Sequence, residues 1–230
     1  MEQIIQQRRI KVLYDKKWRC LTKRVWPFRF IPFVDFAFAA GSMATGNVKE
    51  SSDFDVIIGV KKGRIFTARF FSVLVFGFLG WRRKKLSHKE SAKDKICLNH
   101  FVTKDSYKLS PPYNEYWITL YKNLVPIFGN QDYIREFWLA NKNWLGEVNF
   151  NDDLRYKYKS HSFIKKFLNK ILSGTLGNFL EQILKNIQVK KIESSLSNDL
   201  PGFKPRIKYS DAELEFHPDT KRIEDFLKSL

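Results

Sequence analysis

Two aspartates one residue apart, Asp53 and Asp55, head the apolar run DFDVIIGV, and twelve residues upstream the apolar run at 34–40 (VDFAFAA) ends in Gly41-Ser42. Both runs read as buried strands, and side chains at i and i+2 of a strand project from the same face. Asp53 and Asp55 are therefore expected to point one way, with Phe54, Val56 and Ile58 pointing the other. Two carboxylates that close repel each other unless a cation lies between them or one stays protonated. Magnesium resolves the conflict, because it takes carboxylate oxygens and bridges to phosphates. Gly41 lets the backbone approach a ligand, and Ser42 adds a hydroxyl beside backbone N–H groups, which suits a polyphosphate. Together these residues read as a nucleotide and metal site.

Other glycine-based phosphate motifs do not fit. A Walker-type loop needs Lys and Ser/Thr after its second glycine, whereas Gly46 is followed by Asn47-Val48. The dinucleotide fingerprint G-x-G-x-x-G is also missing.

The run FAFAAGSMATGNVKESSDFDVII resembles the nucleotidyltransferase superfamily, which includes polymerase β, the antibiotic nucleotidyltransferases and the minimal MNT proteins. Its members show an apolar strand, Gly-Ser, about a dozen residues, and then Ser-Asp-h-Asp-h with h apolar. The resemblance implies an α+β fold, a mixed sheet flanked by helices. It also implies that Gly41 and Ser42 contact a nucleoside triphosphate and that Asp53 and Asp55 bind two Mg²⁺. The implied reaction is attack of an acceptor hydroxyl on the α-phosphate, with pyrophosphate leaving. A weaker similarity lies in LVPIFG at 124–129, which matches a segment that follows the third strand and a helix in several members. Pro111-Pro112 ahead of YNEYWITLYKNL suits the start of that helix.

The family's third acid is where the chain departs. The next strand-like run, KICLNHFV at 95–102, places Asn99 where an acid is expected. Asparagine offers a neutral oxygen but accepts no proton. His100 is a base near neutral pH, but alternation puts it on the opposite face from Asn99. Asp94 and Asp105 flank the run and substitute if the register differs. The catalytic set is thus read as Asp53, Asp55 and Asn99. The alternative is a catalytically impaired relative that binds nucleotide or RNA.

Forty-one Lys and Arg residues against 24 Asp and Glu give a net charge of +17, which points to anionic partners such as RNA or another polyanion. Cys20 and Cys97 lie far apart without metal-ligand spacing and read as reduced thiols, and the histidines at 88, 100, 161 and 217 are scattered, so no zinc site is indicated. The run FFSVLVFGFLGW at 70–81 is too short to span a bilayer and reads as a buried helix, with an interfacial contact beside the basic residues 82–85 as its alternative. With no transmembrane segment or export signal recognised, a cytoplasmic location is expected.

The chain divides into a basic helical leader at 1–30, the nucleotidyltransferase-like unit at 31–148, an amphipathic helical segment at 155–193 and a polar extension at 194–230. Ile4, Ile5, Val12 and Leu13 are expected to seat the leader on the core. Trp117, Tyr121, Phe137, Trp138 and Trp144 read as core rather than as a base-stacking platform. The amphipathic segment is expected to dock on the core and to break near Gly174 and Gly177; covering the cleft, pairing with a second subunit and lying on a membrane are its alternatives. Proline and glycine at 201–205 make the last segment read as loosely structured.

Overall fold

The computed structural model describes residues 2–83, 92–111, 113–146, 162–196 and 206–217. The fold is α+β, with seven α-helices around one open, mixed, six-stranded sheet among these residues. The strands are β1 (Val34–Ala39), β2 (Phe54–Val60), β3 (Ile96–Val102), β4 (Val125–Gly129), β5 (Arg206–Tyr209) and β6 (Glu213–His217), in the order β4-β1-β2-β3-β6-β5. Only the β2–β3 pair is parallel, joined by a crossover through α3 (Ile65–Phe78). A parallel pair requires such a crossover.

Both faces of the sheet are covered. One carries α1 (Glu2–Arg24), α3, α6 (Phe163–Ile171) and α7 (Thr175–Leu196), with Leu21, Phe28, Val56, Ile58, Phe66 and Phe101 in its core. The other carries α4 (Glu115–Lys122) and α5 (Gln131–Leu145), packed on Phe36, Phe38 and Ile57. Of the aromatic residues expected in the core, Trp117, Tyr121, Phe137 and Trp138 are buried there, and Trp144 is partly buried against them. Gly59 makes room for this packing, since a Cβ there would lie 2.1 Å from the Phe36 ring.

Several expectations change. The C-terminal stretch is not uniformly loose: β6 pairs with β3 and Leu214 is fully buried, so the sheet is completed by residues far outside 31–148. Alternating Leu214 and Phe216 bury themselves beneath the helices, which the surrounding proline and polar residues obscured. The leader seats Trp18, Leu21 and Val25 in the core, with Leu13 partly buried, while Val12 is exposed; the Ile4 and Ile5 side chains lie outside the described residues. The helix expected at Pro111-Pro112 starts later, capped by Asn114, whose side chain accepts from Trp117 N at 3.2 Å. LVPIFG forms an edge strand, where Pro126 is tolerated because one side of the strand is unpaired. α3 buries Phe66 and Phe76 but exposes Leu74 and Phe78, so it is not apolar core on every side.

Candidate metal and nucleotide site

β1 and β2 run antiparallel, and the turn between them returns the chain to its starting edge. Ala40 N donates to Asp55 O at 2.9 Å, holding the end of β1 beside the start of β2. Gly41 then takes φ +54° and opens the short helix α2 (Gly41–Thr45), which places Ser42 in its first turn. A Cβ at Gly41 would lie 2.2 Å from Asp55 Oδ2. Both the left-handed backbone and the close carboxylate require glycine.

The approach to Asp53 is braced from below by α1. Lys17 is buried, and its ammonium donates to Glu50 O at 2.9 Å, Ser52 O at 2.7 Å and Asp94 Oδ1 at 2.8 Å. All three of its donors are used, which is what a buried ammonium requires. Asp94 N in turn donates to Ser52 O at 3.1 Å, and Arg24 donates to Asp94 O. Tyr14 Oη donates to Met43 O at 3.0 Å, tying α1 to α2. The basic leader is therefore part of the scaffold under the acids. The sequence showed a basic helix able to pack on the core, but not that Lys17 would brace the approach to Asp53.

Asp53 and Asp55 converge as expected, and Cys97 joins them: their ligand atoms all lie within 4.8 Å of one another. Cys97 is the register partner of Asp55 across the parallel pair. Burial pushes its thiol pKa up, and the neighbouring Asp55 and Asp53 carboxylates push the same way. This disfavours the thiolate in the absence of a cation, and sulfur is in any case a poor ligand for a hard cation. Asn99 Nδ2 donates to Asp55 Oδ1 at 3.1 Å, so the residue expected at the third position does reach the site, with its amide N–H turned to the carboxylate. Arg83 Nη1 meets Asp53 Oδ2 at 2.6 Å. Burial opposes the guanidinium charge, but Asp53, with smaller contributions from Cys97 and Asp55, outweighs it and raises the Arg83 pKa. The lone signal for Arg83 in the sequence was its place in the basic run at 82–85. Cys97 had a clearer one, because strand alternation puts it on the same face as Asn99.

The other third-acid candidates are engaged elsewhere. Asp94 is held by Lys17 and Asp105 pairs with Lys62 at 2.8 Å on the surface. His100 is placed by an irregularity that alternation did not anticipate. The two-residue step from Asp55 to Ile57 on β2 is matched by the three-residue step from Cys97 to His100 on β3, an extra residue in β3. His100 therefore shares the sheet face of Ile57, on the side of the acids, which corrects the expected opposite orientation. Its Nε2 lies 3.1 Å from Glu213 Oε1, one strand further from the aspartates. Burial works against Glu213's charge, but the hydrogen bond and charge of His100 hold its pKa below the usual carboxylate range. Glu215 pairs with Arg206 at 2.9 Å, and Lys208 reaches Glu213 at 3.1 Å. The two carboxylates of this second cluster are already balanced by two fixed cations.

The donor set at Asp53 and Asp55 suits a hard divalent cation: two convergent carboxylates with no competing thiolate. Arg83 now supplies the positive charge that a cation would otherwise bring to Asp53. Comparison of the chain with protein-family models, with curated proteins and with solved structures finds no match.

Proposed function

We propose that the protein is a Mg²⁺-dependent nucleotidyltransferase that moves a nucleoside monophosphate from a nucleoside triphosphate to an acceptor hydroxyl. The observation that carries this reading is the contact of the Gly41 turn with the Asp55 carboxylate, which joins the two halves of the motif in one place. Asp53 and Asp55 would hold the metal, with Gly41 and Ser42 beside the triphosphate. When bound, the cation supplies neutralisation of the negative charge that develops on the phosphate oxygens. In the transfer, the acceptor oxygen forms a bond to the α-phosphorus, the bond to the bridging oxygen breaks, pyrophosphate leaves, and the hydroxyl proton passes to solvent.

Within the chain, Arg83, now paired with Asp53, would be free to offer its guanidinium to phosphate oxygens if Asp53 held a cation, a role to which its planar fork is suited. Asn99 holds the Asp55 carboxylate in place without adding charge. Such a site has two acids rather than three, which favours one firmly held cation.

The second reading, a catalytically impaired nucleotidyltransferase-fold protein that binds nucleotide or RNA, is supported by the same two contacts. An amide donates to one aspartate and a guanidinium neutralises the other. A screen of the four triphosphates with Mg²⁺ or Mn²⁺ and candidate acceptors separates the two. Pyrophosphate release that disappears in Asp53→Asn and Asp55→Asn supports the enzyme. Nucleotide binding without release supports the impaired relative, and release unchanged in either mutant overturns the assignment of the acids.

A further inference from the structure

α6 and α7 leave an apolar surface open that the fold does not use. On α6, Phe163, Phe167 and Ile171 recur at four-residue steps with Ile164 beside them, and all four are exposed, Phe163 by 82 %. On α7, Leu176, Phe179, Ile183 and Ile187 follow at steps of three and four, with Leu176 exposed by 62 % and Phe179 by 66 %. Each set forms a stripe along one side of its helix. The helices dock through other side chains, Lys165 and Leu172 on one segment and Leu184, Gln188 and Ile192 on the other. At the corner between the helices Arg64 fixes the chain by donating to Leu172 O at 3.0 Å and Ser173 O at 3.1 Å. α3 packs beside α7 and adds a third row, Phe70, Leu74 and Phe78, the last exposed by 91 %.

Exposed apolar rows on neighbouring elements mark an interaction surface. Their borders identify the partner. Lys166 and Lys170 flank the α6 stripe and Lys190 and Lys191 lie near the end of α7, all exposed, against one exposed acid, Glu193. Apolar side chains bordered by lysines match the boundary of an anionic bilayer, where the rings and aliphatic chains enter the acyl region and the ammonium groups meet headgroups. A second copy of this chain fits poorly, because its +17 charge and its own lysines would face the same charges. Nucleic acid fits less well, because Ile164, Ile171, Leu176, Ile183 and Ile187, interleaved with the phenylalanines, offer no stacking face and would remain exposed to water against a polyanion.

We propose that the α6–α7 surface, extended by the exposed row of α3, binds the protein peripherally to anionic membranes, with Phe163, Phe167, Phe179 and Ile183 inserted and Lys166 and Lys170 at the headgroups. No helix among the described residues is long and apolar enough to cross a bilayer, so the contact is interfacial. It does not depend on the chemistry at Asp53 and Asp55.

Co-sedimentation of the full chain with phosphatidylcholine vesicles, with and without about a quarter phosphatidylserine, tests this at ~0.1 M salt. Binding should require phosphatidylserine. Lys166→Gln and Lys170→Gln should each lower the partition coefficient roughly fivefold, and Phe167→Glu with Phe179→Glu should lower it at least tenfold, the exposed positions leaving the melting temperature unchanged. Equal binding to both vesicle types, no binding to either, or wild-type binding by the double Phe variant overturns the proposal. So does a concentration-dependent dimer, abolished by Phe179→Glu, in a protein that ignores vesicles.

Discussion

The carboxylate of Asp55 rests against the Cα of Gly41, so closely that a methyl group on that carbon would lie 2.2 Å from Oδ2. Gly41 also holds φ +54°. Gly41→Ala therefore carries both a clash and a left-handed alanine, and each costs about 1–3 kcal/mol. Thermal unfolding should show a loss of at least 2 kcal/mol (order of magnitude), together with loss of divalent-metal binding measured by calorimetry. A stable variant with normal metal affinity would show that the turn does not shape the site.

If Asp53 holds a metal ion as proposed, Arg83 would compete with it for the carboxylate. A half-buried ion pair of this kind is worth about 1 kcal/mol. Arg83→Gln should tighten Mn²⁺ binding roughly fivefold in the absence of nucleotide. Weaker binding would instead make Arg83 a support for the site.

Asn99→Asp places a third carboxylate beside Asp55. Without metal the like charges repel, so the variant should melt below the wild type in EDTA. Mn²⁺ should then raise its melting temperature by more than it raises that of the wild type, since a ligand stabilises the state it binds. An equal rise in both proteins would remove Asn99 from the metal site.

Lys165 gives a pH signature unrelated to that site. Burial pushes its pKa down to about 7, with Asp35 offsetting only part of the effect. Its ammonium donates to Val34 O and lies 4.9 Å from the centre of the Phe128 ring. Between pH 7 and the ordinary lysine value of 10.5, the unfolded chain binds more protons at this residue than the folded one. Stability should therefore rise with pH across that window, by at most about 1.4 kcal/mol per pH unit. In Lys165→Met this contribution should vanish, as denaturant melts at several pH values would reveal.

Leu214 tests the contribution of the C-terminal strands to the fold. It is fully buried in the core on the α3 side of the sheet. Leu214→Ala should cost about 2–5 kcal/mol in chemical unfolding, the range for a buried leucine. A loss under 1 kcal/mol (roughly the surface range) would mean that β6 is dispensable.

The strands at 34–40 and 54–60 and the convergence of Asp53 and Asp55 were legible in the sequence, because they depend on alternation and short-range spacing; that the two strands pair antiparallel was not. Also legible was a pair of helices broken near Gly174, between the end of α6 and the start of α7, although Gly177, expected to share in the break, lies inside α7. Their outward apolar stripes were visible only as periodicity, and which side stays uncovered is a matter of docking. The Asn99 position was found, but not what its side chain does. An amide aimed at a carboxylate can only donate, and that follows from the neighbour rather than from the residue.

By itself the sequence determined the first three strands, the glycine turn and the two acids at the mouth of a strand. Tertiary structure decided which charges meet those acids. Arg83 reaches Asp53 from 30 positions away, Asn99 reaches Asp55 from 44, and Lys17 crosses 35 positions to brace Ser52. It also decided that residues beyond 205 complete the sheet beside β3, and that one extra residue in that strand swings His100 toward Glu213. Such contacts join residues distant in the chain, and local periodicity carries no information about them. They form only when the sheet closes, where burial makes each pairing favourable or costly.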